Sequence, residues 1–520
     1  MQPSEARPRF ADEDLPEGSV VDGDAVSGPL VDEADFVVVG SGAAGGTAAY
    51  TLACAGYSVI VLEEGPYVKT RELVEEVHAT FGRLFRSKGL QVLEGRAFMP
   101  MLQGRCVGGS TLVNSAIAWR VPEDVVDDWR ASFGLGSITM KELDGHFDAI
   151  EHDLSVRSVA EDVLGENNRL FLDVARSRGI VAAPMRRYDR GCKGSALCLT
   201  GCQNGAKQGM SVTYVPWSLA RGARLYSSCR VERVVLAGNR AVAVRAVAAS
   251  GHVVEARARR GVLVAASTVQ TPGLLRRSGV RSPALGRYFQ AHPGLALGGL
   301  FDRPIEMAFG ATQGCESIHF RKTDRFKLET ISMPPELAAA RVPGVGKALA
   351  SRLARLGHVA VWAAQIRAEA QGTVGTGLLG GDVVRYTMTE NDMRATRKAV
   401  AVIARLMFDG GAREVWPGIH GVPPVLTSPD QVALLEDGPL EPRSYSYIAT
   451  HLFGAARMGP DPGTSVCAPD FSVHGTRGLY VVDSSVFPTN LGVNPQHSIM
   501  AMSRLACTRL ANAERFAAVA

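Results

Sequence analysis

The feature that most restricts this chain is Gly40-Ser41-Gly42-Ala43-Ala44-Gly45-Gly46, set between an apolar run and an Ala-rich stretch. The run before it is Asp35-Phe36-Val37-Val38-Val39, and the helix-prone stretch after it spans Thr47 to Ala55. Beyond Gly56-Tyr57 a second apolar run, Ser58 to Leu62, ends at Glu63. Strand, glycine turn, helix and strand within about 30 residues make a βαβ unit, which calls for a parallel sheet covered by helices. The glycines have separate duties. Gly40 permits the tight turn, Gly42 lets backbone approach a pyrophosphate, and Gly45 lets helix and strand pack closely. The helix amino terminus then faces the phosphates. Glu63 is placed for a ribose 2′-hydroxyl and would repel a 2′-phosphate, which argues against NADP. The pattern leaves NAD and FAD undivided.

The rest of the chain is read against that unit. From Ala223 to Ala266 short alternating strands, broken by Gly-Asn and Ser-Gly turns, predict a meander. The region from about 300 to 445 mixes helical stretches (Val345 to Leu356, Glu390 to Asp409) with a strand, His358 to Ile366, and Pro334-Pro335 and Pro423-Pro424 mark loops. A strand at Gly478 to Asp483 and a final helix from about Pro495 close the chain. The expectation is an α/β protein: a Rossmann-like dinucleotide-binding domain from 34–125, 220–298 and 446–515, with a sheet-and-helix second domain inserted as 126–219 and 299–445. Residues 1–33 are acidic and Pro/Gly-rich, read as a disordered leader rather than a secretory signal. The formal charge of +4, with scattered arginines, gives no case for nucleic acid or an anionic membrane surface. No window reaches the about 18 uninterrupted apolar residues of a spanning helix. Nine cysteines in 520 residues are too few and too odd in number for a disulfide scaffold, so a reducing, cytoplasmic setting is expected.

Three further segments carry a resemblance. Gly104-Arg105-Cys106-Val107-Gly108-Gly109-Ser110-Thr111-Leu112-Val113-Asn114 resembles the first signature of the glucose–methanol–choline (GMC) oxidoreductases, and Ser267 to Val280 resembles the second. His451-Leu452-Phe453-Gly454-Ala455-Ala456-Arg457-Met458-Gly459, with Val482-Asp483-Ser484-Ser485 and Gly492-Val493-Asn494-Pro495, resembles the family's catalytic region. Val121 and Arg281 depart from the signatures at edge positions. The resemblance implies FAD rather than NAD. Gly104, Gly109, Ser110 and Asn114 would line the isoalloxazine and pyrophosphate, Val231 would meet the adenine through its backbone, and Asp483 would accept from the ribityl or phosphate region. Some members attach flavin through a His just before that Asn; here the position is Val113, so non-covalent FAD is implied.

Oxidising an alcohol needs a base for the hydroxyl proton and a hydride acceptor, and His suits the first task. In the family a His and a second His or Asn about 43 residues later face flavin N5, and His451 and Asn494 match in spacing and motif. His451 is expected to take the hydroxyl proton and Asn494 to hold the oxygen. Asn494-Pro495 also reads as a helix N-cap and first turn, whose positive end would favour an anionic reduced flavin. His497 is expected to be structural, and Ser115 to edge the substrate pocket. The expected substrate is a small-molecule alcohol, primary and oxidised to its aldehyde. Met307, Phe309, Phe320, Phe326, Met333 and Trp362 could line its pocket or simply fill a core.

Cys192, Cys198 and Cys202 form the least expected motif. In a stretch resembling long-chain alcohol oxidases and certain bacterial sugar dehydrogenases of the family, they are candidate ligands of a 3Fe-4S cluster that would serve an electron-transfer partner. Free or disulfide-paired cysteines bracing a loop are the other reading; the remaining six read as small buried residues. Two alternatives stay open: a GMC-fold lyase or photoenzyme without net alcohol oxidation, and an oxidase against a dehydrogenase using a protein or quinone acceptor.

Overall fold

The strand Leu30–Val39 sits between Val59–Leu62 and Val253–Val264, parallel to both, and its last four residues, Phe36 and three valines, are fully or almost fully buried. A strand covered on both faces reads as a continuous apolar run, and Phe36 to Val39 is that run. A computed structural model describes residues 11–378 and 380–519, with side chains as far as residue 514. The first sheet has eight strands, ordered Val20–Asp22, Arg224–Ser227, Val59–Leu62, Leu30–Val39, Val253–Val264, Arg240–Ala248 and Cys229–Ala237, with Leu479–Val481 also paired to Val253–Val264. The last three in that order form the expected antiparallel meander at one edge.

Two helices cover this sheet. Ala43–Cys54 rises from the glycine turn, and Gln496–Val519 packs against it, with Ser503 donating to the Ala44 carbonyl at 2.8 Å. Close packing is possible because Gly45 has no side chain: a Cβ there would stand 1.9 Å from the Gly40 carbonyl oxygen.

The second sheet has seven strands and is antiparallel throughout. Its order is Glu414–Trp416, Gln290–Leu300, Val359–Ile366, Phe326–Thr330, Cys315–Ser317 and Ala183–Pro184, with Ile448–Phe453 also paired to Gln290–Leu300. The helix Glu390–Asp409 packs on it, opened by a capping box in which Thr389 and Asp392 satisfy each other's backbone N–H groups. Each sheet has its own apolar core, with Trp129, Phe147 and Tyr214 in the first and Phe289, Trp362 and Phe326 in the second.

Several expectations need correction. The leader expected to be disordered over 1–33 is ordered from residue 11, while 1–10 lie outside the described residues. Asp12 is buried and accepts from Thr70 N at 2.7 Å, and Val20–Asp22 pairs with Leu225 to Ser227, so a sheet edge supplies the order that the segment's composition lacks. Gln290–Leu300 and Ile448–Phe453, grouped by sequence with the nucleotide-binding half, run in the second sheet. Conversely, Glu123–Ser132, Met140–Asp153 and Tyr214–Leu219 pack into the first core, because their apolar stripes complete it. Pro335 opens a short helix, Pro335–Ala339, rather than a loop.

Candidate functional site

Between the two sheets lies a cavity of about 960 Å³. One wall is the glycine turn: Gly40, Gly42 and the start of the helix Ala43–Cys54, whose first N–H groups have no partner inside the helix. Gly40 adopts φ +96°, open to glycine at little cost. A Cβ on Gly42 would project into the cavity, meeting nothing nearer than Gly109 Cα at 3.9 Å. Gly109 and Ser110 come from the short turn Gly109–Leu112, and Ser110 Oγ accepts from Gly104 N at 3.0 Å. Gly104, Asn114, Ser115, Val231, Asp483, Asn494 and Pro495 all line the same space. Gly45 does not; it serves packing behind the wall.

The acidic residues are already engaged. Glu63 Oε2 accepts from Ser41 N (2.9 Å) and Ser41 Oγ (2.7 Å), and Oε1 from Gly65 N (3.0 Å). Burial raises its pKa against the pull of these bonds. Glu63 lines the cavity, and its Oε1, with one hydrogen bond, keeps acceptor capacity. Asp483 is likewise raised by burial, and its carboxylate accepts from Thr271 Oγ1 (2.6 Å), Ser485 N (2.9 Å) and Ser267 N (3.0 Å). It therefore ties the second signature to the carboxyl block, a bracing role that the sequence did not suggest. Asn114 bridges in the same way, donating to Gln496 Oε1 at 2.6 Å and accepting from Ala116 N at 3.0 Å.

His451 reaches the cavity from the strand Ile448–Phe453, and Asn494 from the loop before the helix Gln496–Val519. Burial pushes the His451 imidazole down to about 4, with Glu329 pulling it up and Lys327 down. Its Nδ1 stands 3.1 Å from Nδ1 of His292, a fully buried ring whose pKa burial also lowers. Next to Asn494 lies a buried charge cluster of Lys327, Glu316 and Glu329, with Lys327 Nζ 2.5 Å from Asn494 Oδ1. Sequence reading missed His292 and this cluster. The alternation Phe326-Lys327-Leu328-Glu329 looks like a half-exposed strand, and only the covering sheet and loops show that both faces are buried.

The other expected residues are placed as follows. His497 is buried away from the cavity, its Nδ1 2.7 Å from the Tyr188 hydroxyl and its Nε2 3.2 Å from Glu151, as a structural histidine. Of the six apolar residues weighed for a pocket, Met333 lines the cavity. Met307, Phe326 and Trp362 are core, Phe320 packs against it, and Phe309 is exposed. The second sheet, which carries His451, also gives the cavity Leu295, Ala296, Val361, Ala363, Gln365 and Ile448.

Cys192, Cys198 and Cys202 do share a small pocket, but its volume is about 10 Å³. Cys198 Sγ accepts from the buried Arg187 Nη2 at 3.0 Å, and Cys192 Sγ from Gly194 N at 3.5 Å. Among the described residues no three His, Cys, Asp or Glu side chains stand together to hold a metal ion. The residues present do not fit a three-iron cluster; the loop packs around its thiols, which are free. Of the remaining cysteines Cys54 is exposed, against expectation, because it ends the outer face of its helix; the other five are buried.

A parallel sheet with a glycine turn at the mouth of a cavity, roofed by a second antiparallel sheet, defines a dinucleotide-binding protein with a capping domain. Within that class the chain belongs to the GMC oxidoreductase family, whose models match residues 34–294 and 382–503. It is 38% identical to a GMC-type oxidoreductase of Mycobacterium tuberculosis over 91% of this chain and 75% of that one. A long-chain-alcohol oxidase of Arabidopsis thaliana is 26% identical over 92% of this chain and 67% of its own. Pyridoxine 4-oxidase from Mesorbium loti superposes with a TM-score of 0.72 at 18% identity, covering 91% of this chain and 98% of that one. Formate oxidase of Aspergillus oryzae gives 0.71 at 17%, covering 94% and 99%. The GMC fold and the oxidoreductase class are thereby established. Among the described residues no helix is long and apolar enough to cross a membrane.

Proposed function

We propose that the chain binds FAD non-covalently and oxidises a primary alcohol to its aldehyde, with His451 and Asn494 as catalytic residues. The observation that carries this is their meeting: two motifs 43 residues apart reach one cavity, where Asn494 Oδ1 accepts from the buried Lys327 at 2.5 Å. The glycine wall fits a dinucleotide, since the space that a Cβ on Gly42 would take opens onto the cavity. Gly40, Gly104, Gly109, Ser110, Val231, Glu63 and Pro495 would hold the cofactor. Val113 stands where a covalent His would be. Bound there, FAD supplies the acceptor for the hydride leaving the alcohol carbon.

The protein's own part is proton and oxygen handling. The two Nδ1 atoms of His451 and His292 can share only one hydrogen. When His451 donates it, the His451 Nε2 lone pair is free to take the hydroxyl proton. The low pKa keeps that ring neutral and receptive at neutral pH. An N–H of Asn494 holds the oxygen as charge develops on it. The apolar lining, with Leu295, Val361 and Ile448, excludes water and suits an alcohol with an apolar body. The named long-chain-alcohol oxidase relative supports the same substrate class.

The test is an absorption spectrum of the purified protein, followed by anaerobic addition of alcohols of graded chain length. Flavin bands that bleach with one alcohol class, in the dark, support the reading. A colourless protein that takes up no FAD overturns it.

A further inference from the structure

Lys327 is a fully buried lysine in the strand Phe326–Thr330. Alternation places Lys327 and Glu329 on one face of that strand, and Glu316 lies opposite Glu329 in the next. An ammonium has three N–H donors, and this one has three acceptors. They are Glu316 Oε2 at 2.5 Å, Asn494 Oδ1 at 2.5 Å and Glu329 Oε1 at 2.8 Å. The glutamates are fixed in turn: Trp119 Nε1 donates to Glu316 Oε2 at 2.5 Å, and Gln313 Nε2 donates to Glu329 Oε2. Burial opposes each charge, yet Lys327 is held above its ordinary range by Glu316 and Glu329, and Glu329 below its own by Lys327. Lys327 and Glu329 therefore stay charged.

That arrangement decides which way the Asn494 amide points. Its oxygen accepts from the ammonium at 2.5 Å, which turns the Nδ2 group away from Lys327. Turned over, the amide would set N–H groups against an ammonium, which is repulsive. The Nδ2 hydrogens then remain, on a residue that lines the cavity.

We propose that Lys327, aided by Glu329, is a positioning residue that locks the Asn494 amide so that the cavity is offered a donor and never an acceptor. The donor then stands ready for the substrate oxygen as it loses its proton, with no reorganisation at that moment. The proposal rests on the reading of Asn494 given above. The competing view is that the three charges only fill the space between strands, and a buried ion cluster by itself is weak evidence of stabilisation.

The experiment is a double-mutant cycle on the FAD-loaded protein with Lys327→Met, Asn494→Ala and their combination. The readouts are the limiting rate of anaerobic flavin reduction, the apparent alcohol affinity and the flavin content. Lys327→Met is expected to lower the limiting rate about tenfold or more with affinity less affected, and to slow the Asn494→Ala protein by no more than about threefold. Glu329→Gln, which leaves Lys327 paired to Glu316, enters the same cycle if Lys327→Met loses flavin. Equal slowing by Lys327→Met in both backgrounds overturns the proposal while leaving Asn494 its role. Unchanged reduction in Asn494→Ala overturns both. Loss of flavin from Lys327→Met and Glu329→Gln alike also overturns it, because the cluster then serves the fold.

Discussion

At the scale of single residues the site is governed by burial. His451 is neutral at physiological pH because desolvation outweighs Glu329, and its pKa falls to about 4. A base must be unprotonated to act, so the sign is fixed: flavin reduction should hold a plateau at neutral pH and decline as pH drops through about 4. Stopped-flow reduction across that window checks it, and a decline centred near the free-imidazole value of about 6.5 would remove the burial argument. His451→Ala should keep FAD bound and slow reduction by about 10²–10⁴-fold; an unchanged rate would take His451 out of the mechanism. Gly45 makes the opposite kind of prediction. Gly45→Ala puts a methyl 1.9 Å from the Gly40 carbonyl oxygen, so the turn must move, at about 1–3 kcal/mol. Lower flavin occupancy and a lower melting temperature are expected, and a variant with full occupancy would contradict the packing seen here.

At the scale of elements, the helices divide between those that serve the cavity and those that hold a sheet. Ala43–Cys54 aims its unpaired N–H groups at the glycine wall and has no acidic residue in its first turn. That terminus suits the negative charge of a pyrophosphate. Glu390–Asp409 lies on the second sheet, and its capping box is remote from the cavity lining. Thr389→Ala should therefore cost about 1 kcal/mol of stability and leave flavin reduction unchanged. Denaturant unfolding beside a reduction assay separates the two effects; a slowed reduction would show that the helix reaches the site.

At the scale of the molecule, the cavity exists because the two sheets share boundaries. The chain leaves the first sheet after Val264, runs Gln290–Leu300 through the second, and returns by Ile448–Phe453, which carries His451. The glycine wall therefore belongs to the first sheet and His451 to the second, and a ligand between them should stabilise both. Added FAD should raise the melting temperature of flavin-stripped protein, by about 2.7 kcal/mol of stability at a hundredfold excess over Kd. Scanning calorimetry with and without FAD tests it, and no shift would place the cofactor elsewhere.

Much of this was legible in the chain itself. Local pattern sufficed for the βαβ unit, the meander and the helix Glu390–Asp409, because strand and helix periodicities and glycine turns depend on near neighbours. The pair His451 and Asn494 was readable only through the family resemblance of the motifs that carry them. What the sequence could not supply were facts created by distant segments meeting. The edge that orders Val20–Asp22 lies some 200 residues away at Arg224–Ser227. The Cys192–Cys202 loop is tied to a segment 114 residues away, where Thr312 Oγ1 accepts from Cys198 N at 3.3 Å. The burial of Lys327, and with it the direction of the Asn494 amide, needs strands and loops from four parts of the chain. Charges and amides take their meaning from what surrounds them, and those surroundings are set by tertiary structure alone.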